Sequence, residues 1–554
     1  MHRTMVLGVS ALALVAWPLA VEARGMVVAA HPLASDAGLA VLEAGGNAVD
    51  ALVAVQAVLG LVEPQSSGLG GGAFLVHYDA RTGRVTTFDG RETTPAAYGP
   101  DHFLDADGEP LPFWEAVIHG RSVGVPGTPM LLDLAHARFG RAEWAGLFDR
   151  AIALAEDGFE VSPRLASAVA AARGLDAFPP TAAYFLPEGQ PLAAGMTLRN
   201  LAYAETLRSF AAERSQPFYE GAIARAIVGV VNQAGGIMTL GDLAAYELVE
   251  RPPVCVDYRG HAVCGMGPPS SGGLTVGQIL GLLGHFDLTS LGYGVDALHL
   301  IAEASRLAYA DRAFYMADSD FVSVPTEGLL DPAYLTARAQ LIDRDRTHLD
   351  AKAGNPPWRE ARLQAPQVQP ERSGTSHIVI VDADGNAVSM TTTIESGFGS
   401  RLMAAGFLLN NELTDFSFRP EVEGRPVANR VEPGKRPRSS MSPTIVLRDG
   451  EPYLLVGSPG GARIIGYTAL ATIAVLDWGM EPQAAAELGH VGNLGRYTDL
   501  EDGSTAALFR AALEERGHEV RTLPMESGLA LIRLGADGPI GGADPRREGV
   551  VRSR

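Results

Sequence analysis

A threonine directly after a glycine, Gly374-Thr375, opens the segment of this 554-residue chain whose side chains could do chemistry; the run continues as TSHIVIVDADGNAVSMTTTIESGFG to Gly399. A threonine hydroxyl inside a chain is a poor nucleophile. At a free N-terminus it carries its own base, because an α-amine with an ordinary pKa of about 8 can take the hydroxyl proton near neutral pH. Scission between Gly374 and Thr375 would create that arrangement. Thr391, Thr393 and Glu395 alternate along the sequence, so in an extended strand they share one face. A nucleophile flanked by a second hydroxyl and a carboxylate is a candidate reaction centre. The competing reading of the same residues is a threonine-rich surface hairpin.

The elements that must position these groups follow from pattern. Residues 376–382 and 387–394 are rich in Val, Ile, Thr and Ser and predict two strands, joined at Asp384-Gly385-Asn386, where Gly and Asn accept the positive φ of a tight turn. Folding the strands back sets Thr375 opposite positions 394 to 396. Upstream, residues 25–78 read as strand, helix, helix, strand. The first helix, over Asp36 to Ala44, ends at Gly45-Gly46; Asn47 caps the second, which runs to Val62 and is apolar on nearly all sides, hence buried. Ser66 to Gly72 is a glycine-rich turn. It contains a GxGxxA spacing, but a helix precedes it and a strand follows, the reverse of what a dinucleotide site requires, so it reads as a packing turn. Residues 140–250 are mostly helical in pattern, 296–316 predict an amphipathic helix, and helices near 463–477 and 482–489 interrupt the short strands after Thr375. Pattern alone supports mixed α and β structure around a large core.

Composition narrows the function classes. Hydrophobic residues make up 47% and charged residues 19%, and the net charge is -20. That balance excludes nucleic acid as a partner, which demands concentrated Lys and Arg. A small anionic substrate is still allowed if its pocket holds local cations. No P-loop lysine, GxSxG elbow or HExxH pair occurs, and no metal or cofactor is expected. The two cysteines, Cys255 and Cys264, flank a hairpin pattern with a two-residue turn at Arg259-Gly260, which sets them across from each other. Two states fit: a cross-strand disulfide, or two half-buried thiols.

The N-terminus reads as a secretory leader over residues 1–23: His2 and Arg3, an apolar run from Met5 to Leu19 broken by Pro18, then Val21-Glu22-Ala23 with small residues at the cleavage positions. The apolar run is short for a span of about 20 residues. The expectation is a soluble, exported, periplasmic protein without stable membrane insertion. Residues 345–373, with Pro356, Pro357, Pro366 and Pro370, read as an exposed segment leading into Gly374, either a linker or a processed tail.

Beyond the threonine segment, several blocks recur at a spacing that resembles one family: Phe88-Asp-Gly-Arg91-Glu92, Gly124-Val-Pro-Gly127-Thr, Pro268-Pro-Ser-Ser-Gly-Gly273, Gly406 through Asn-Asn-Glu412-Leu-Thr-Asp415, Lys435-Arg-Pro-Arg-Ser439-Ser440 and Gly457-Ser-Pro-Gly460-Gly461-Ala-Arg. Together they resemble the γ-glutamyltransferases (glutathione hydrolases), N-terminal-nucleophile enzymes that cleave themselves before a catalytic threonine. The resemblance runs from about Gly25 to the C-terminus. It implies an α+β fold, a four-layer αββα sandwich, with residues 24–374 as a large subunit and 375–554 as a small subunit of one intertwined fold. It implies that Thr375 is the nucleophile in self-cleavage and in turnover, that Thr393 orients it, and that backbone N–H groups of Gly460 and Gly461 form the oxyanion hole. The substrate would be glutathione or another γ-glutamyl compound, with water or an amino-acid or peptide amine as acceptor. Arg91, Ser439 and Ser440 would hold its α-carboxylate; Glu412, Asp415 and Glu395 would take its ammonium.

Three departures from the family pattern stand out. Val379 replaces a small hydroxyl residue. Glu395 stands where asparagine is usual and makes the ammonium site more acidic. The stretch from Phe416 to Arg438 is short and lacks the tyrosine that other members place over the pocket. An open pocket favours hydrolysis over transfer and raises the main alternative, a cephalosporin (glutaryl) acylase on the same scaffold. A self-cleaving but catalytically silent periplasmic binding protein is the alternative outside enzymes.

Overall fold

The computed structural model describes residues 25–357, 365–367 and 374–554. The leader read at residues 1–23 lies outside them, as do residues 358–364 and 368–373 of the proline-containing stretch.

Two antiparallel sheets carry the fold. The first runs from edge to edge as Val550–Ser553, Met26–Ala29, Ser376–Val381, Ala387–Thr393, Gly72–Asp79, Arg84–Gly90 and Val249–Arg251. The second runs Gly538–Ala543, Ala530–Gly535, Glu451–Gly457, Thr444–Arg448, His261–Gly265 and Val254–Tyr258. Both sheets therefore interleave strands from before and after residue 374.

Period-two alternation decides what each face does. Ile378, Ile380, Val388 and Met390 point to a core built with the helices Pro32–Glu43 and Ala48–Val62. Val379, Val381 and Ala387 point the other way, into a core shared with Ile445, Leu455 and Ile532 of the second sheet. Thr375, His377, Ser389, Thr391 and Thr393 continue that second face, so its far end becomes polar. There the His377 ring fills the space beside Gly457, where a Cβ would lie 2.3 Å from it. Its Nδ1 is 2.9 Å from Thr391 Oγ1, and burial pushes its pKa down to about 3, so it is neutral at working pH.

The helix Ala48–Val62 is buried at every residue except Gly60. Asn47 caps it by accepting from the Val49 and Asp50 N–H groups, and Asp50 returns a bond to the Asn47 N–H at 2.8 Å. The glycine-rich turn that follows is a packing turn of a demanding kind. A Cβ on Gly71 would lie 1.9 Å from the Thr393 carbonyl oxygen, and one on Gly72 would lie 2.4 Å from a Glu92 carboxylate oxygen.

Two expectations need correction. Ser376 pairs with Thr392, so Thr375 stands opposite Thr393 and not 394 to 396. The loop runs from 382 to 386, two residues longer on its N-terminal side than the Asp384-Gly385-Asn386 turn suggests, because the Asp382 N–H bonds the Asn386 carbonyl at 3.0 Å and closes it early. The helix at 296–316 forms as Val295–Tyr315, but it is buried on nearly all sides. Its polar residues, His299, Glu303, Arg306, Asp311 and Arg312 among them, face inward and meet polar partners there.

Cys255 and Cys264 are disulfide-bonded across the edge hairpin of the second sheet, with Cα atoms 4.1 Å apart. Arg259 and Gly260 take φ of 53° and 74° in the two-residue turn between those strands, the left-handed pair such a turn requires. Closing so short a loop constrains the unfolded chain by about 2–3 kcal/mol. The Cys255→Ser/Cys264→Ser double variant should accordingly unfold at lower urea, and equilibrium denaturation of the two proteins measures the difference.

Candidate active site

One open cavity brings Thr375, Thr393 and Glu395 together with Arg91, Glu412 and Asp415. Ser439, Ser440 and Gly461 complete its wall, and no residue between Phe416 and Arg438 lines it. Gly374 and Gly460, also selected from the sequence, adjoin lining residues Thr375 and Gly461 without lining the cavity themselves.

Thr375 Oγ1 lies 3.0 Å from Thr393 Oγ1, which also accepts the Glu395 N–H at 2.8 Å. The Thr375 N–H donates to the Ser66 carbonyl at 3.0 Å, and its own carbonyl accepts from Arg547 Nη1 at 2.9 Å. Nucleophile, amide nitrogen and carbonyl are thus each fixed by a separate element. The backbone here is strained: Thr375 has φ of 79° and Glu395 has 72°, a region that a β-branched side chain avoids. Gly374 is buried against this pair of turns, and a Cβ on it would lie 1.8 Å from the Glu395 carbonyl oxygen. Only glycine fits before the threonine.

Gly460 and Gly461 have φ of 138° and 59° and form the turn that enters the buried helix Ile464–Leu476. Amides at the start of a helix have no intrahelical acceptor and sit at its positively polarised end. Tyr467 of that helix packs against Gly460, where a Cβ would lie 2.6 Å from its ring.

Arg91 is almost wholly buried and holds Glu412 and Asp415 through its two terminal nitrogens, the Asp415 contact at 2.5 Å. Its guanidinium also donates to the carbonyls of Pro437 and Arg438, both at 3.1 Å. Against the opposing cost of burial, Glu412, Asp415 and the adjacent Glu92 hold its pKa above the usual guanidinium range. Glu395 is held by the side-chain amide of Asn411.

The hydroxyl pair has its own support. Ser440 Oγ accepts from Arg312 Nη2 at 2.6 Å, and Ser439 Oγ accepts the Met441 N–H at 3.1 Å. With those acceptor roles filled, each hydroxyl keeps its hydrogen for another oxygen. The Pro268 to Gly273 block clamps this strand: Ser271 Oγ donates to the Ser439 carbonyl and Ser270 Oγ to the Met441 carbonyl, both at 2.6 Å. Arg312 also donates Nε to Ser271 Oγ at 2.8 Å, so one buried guanidinium ties clamp and hydroxyl together.

Sequence reasoning missed Ser66, Glu92, Arg312, Asn411 and Arg547 as parts of this site. Glu92 and Asn411 adjoin selected residues and sat inside quoted blocks. Ser66 acts through its carbonyl, and Arg312 and Arg547 arrive from remote segments, so no local signal marks them. The close approach at Gly374 gives a direct prediction. Gly374→Ala should stay one unbroken chain where the parent splits, as seen by intact mass; a variant that splits as fast would refute the steric argument.

A profile of the family described as Gamma-glutamyltranspeptidase matches residues 34–553. The glutathione hydrolase proenzyme of Bacillus subtilis (strain 168) is 41% identical over 518 residues, 91% of this chain and 86% of that protein. That of Escherichia coli (strain K12) is 38% identical, covering 94% of this chain and 90% of its own. The acylase ACY 1 proenzyme of Pseudomonas sp. (strain SE83) is 37% identical, covering 94% and 91%. Among solved structures, cephalosporin acylase from Bacillus halodurans superposes with a TM-score of 0.85 at 28% identity over 96% of each chain. This chain belongs to the gamma-glutamyltranspeptidase family.

Proposed function

We propose that the chain is a glutathione hydrolase/γ-glutamyltransferase precursor that cuts itself between Gly374 and Thr375 and then uses Thr375 as nucleophile. The observation that carries this reading is the single cavity that joins the Thr375–Thr393 hydroxyl pair to a charge set complementary to an amino-acid zwitterion. In the cut, Thr375 Oγ1 attacks the Gly374 carbonyl. The C–N bond breaks, the hydroxyl proton passes to the departing nitrogen, and water opens the resulting ester to a Gly374 carboxylate. The strained φ at Thr375 raises the starting state toward this step.

In turnover the freed α-amine takes the Oγ1 proton while Oγ1 attacks the γ-carbonyl of the substrate. The Gly460 and Gly461 amides receive the developing oxyanion; losing one such donor typically costs about 3 kcal/mol. The amine gives its proton to the leaving amide nitrogen, and water or an acceptor amine then releases the γ-glutamyl group from Thr375. Ser66 and Thr393 hold amine and hydroxyl in register. Arg547 on the Thr375 carbonyl opposes a positive charge nearby and so favours the neutral, basic amine.

The reading extends to architecture. The cores on the outer faces of both sheets and the core between them support a four-layer αββα sandwich. Residues 24–374 and 375–554 would be its two subunits, and residues 1–23 an export leader to the periplasm. No helix among the described residues is long and apolar enough to cross a membrane. The second reading, a glutaryl acylase, is favoured by the acylase relatives and by a cavity that residues 416–438 leave uncovered. Buried Glu412 and half-buried Asp415 weigh for a substrate with an ammonium, since such acids gain nothing from one without it.

Intact mass of the purified protein should show two pieces, the smaller starting at Thr375, and Thr375→Ala should stay whole and inactive. Offered γ-glutamyl and glutaryl anilides, the processed enzyme should prefer the former; preference for glutaryl would select the acylase reading. Arg312→Met, which leaves Thr375 untouched, should raise KM for the γ-glutamyl anilide about tenfold or more with kcat little changed, the effect of losing a charge-assisted bond behind Ser440.

A further inference from the structure

Among the described residues, Glu92 is the acid with both carboxylate oxygens buried and without a regular hydrogen bond. It is fully buried, wedged where Gly72 and Gly124 leave room: a Cβ on either would lie 2.4 Å and 2.7 Å from its side chain. Neither of its carboxylate oxygens forms a regular hydrogen bond to a donor, nor does Oε2 of Glu412, and the two carboxyl groups lie close enough to interact side chain to side chain. Arg91 reaches Glu92 only at 3.9 Å, because its terminal nitrogens are committed to Glu412 and Asp415. One guanidinium thus faces two fully buried carboxyl groups and the half-buried Asp415, and three carboxylate oxygens of Glu92 and Glu412 have no well-formed hydrogen bond. Such oxygens cost a great deal as anions and little when a proton sits between two of them.

We propose that Glu92 and Glu412 share one proton in the empty site, and that the ammonium of the substrate displaces it, making Glu92 a positioning residue for ammonium recognition. The inference rests on the γ-glutamyl reading above. Burial first, then the neighbouring Asp415 charge, raise the Glu92 pKa to about 7 against the lowering pull of Arg91; burial and the Glu92 and Asp415 charges likewise push Glu412 well above the carboxylate range. The other titratable groups facing Glu92 are the Tyr219 and Tyr246 phenols, which burial holds neutral. A bound ammonium supplies the N–H donors that the orphaned oxygens lack, and its charge makes full ionisation of the pair favourable. The proton leaves to solvent, so binding and deprotonation are linked.

The sign follows from the raised pKa. On the acid side of the pair's titration the ligand competes with the proton; on its alkaline side the site is already open. Free glutamate, the hydrolysis product, serves as the probe on the processed enzyme. Calorimetry in two buffers of different ionisation heat should show close to one proton released per glutamate bound at pH 6, falling toward none above pH 8. Its Kd should be about tenfold weaker at pH 6 than at pH 8, as expected for competition with one proton. Glutarate, which lacks the ammonium, should release none. Glu92→Gln, which carries a fixed N–H donor in place of the proton, should bind glutamate without proton release and with a flat pH profile. Glutamate binding by the parent enzyme without proton release would overturn the proposal while leaving the γ-glutamyl reading intact, and a Glu92→Gln protein that still released the proton would do the same. Failure to bind glutamate at any pH would overturn both.

Discussion

Four N–H groups converge on the Asp382 carboxylate. Asp384 and Asn386 donate their backbone N–H groups to one oxygen at 2.9 and 3.0 Å; the Asn386 side chain and the Ala48 N–H donate to the other at 2.8 and 3.0 Å. This knot closes the loop between Ser376–Val381 and Ala387–Thr393 and fixes their register. A slip of one residue would turn every side chain to the opposite face. It would part Thr375 from Thr393 and put apolar side chains where His377 and Thr391 now meet. Because Ala48 opens the long buried helix, the same carboxylate also ties the hairpin to the helical core.

The charges of the site form a second layer of dependence. Arg91 draws Glu412 and Asp415 together, while the clamp from Ser270 and Ser271 and the guanidinium of Arg312 set Ser439 and Ser440 on the other wall. Acids and hydroxyls are therefore sorted to separate places by groups that lie behind the surface. A zwitterion can be recognised this way without a cover, since both its ends meet fixed, buried partners. The segment from Phe416 to Arg438 packs beside the site, with Phe418 stacked on Phe103 at 4.4 Å and the Pro437 and Arg438 carbonyls accepting from Arg91.

Local pattern carried a good part of this. The strand, helix, helix, strand order before Asp79, the cap at Asn47 and the hairpin at Arg259-Gly260 were all legible, because each depends on residues next to one another. The hairpin register was off by at least one residue, since it depends on how Asp382 satisfies four donors, one of them in a distant helix. The inward polar face of Val295–Tyr315 was misread as a solvent face because its partners, such as His518 and Thr347, come from elsewhere in the chain. In the same way the cavity residues were visible as blocks, while the groups that hold them in place were not.

The interleaving of strands has a consequence for the protein after scission. The new N-terminal strand, Ser376–Val381, lies between Met26–Ala29 from the upstream piece and Ala387–Thr393 from its own. Neither piece owns a complete sheet or a complete set of hydrophobic faces. A nicked pair built this way melts as one cooperative body, yet its recovery from the melted state becomes a bimolecular event. Scission at residue 374 would thus change the kinetic order of assembly.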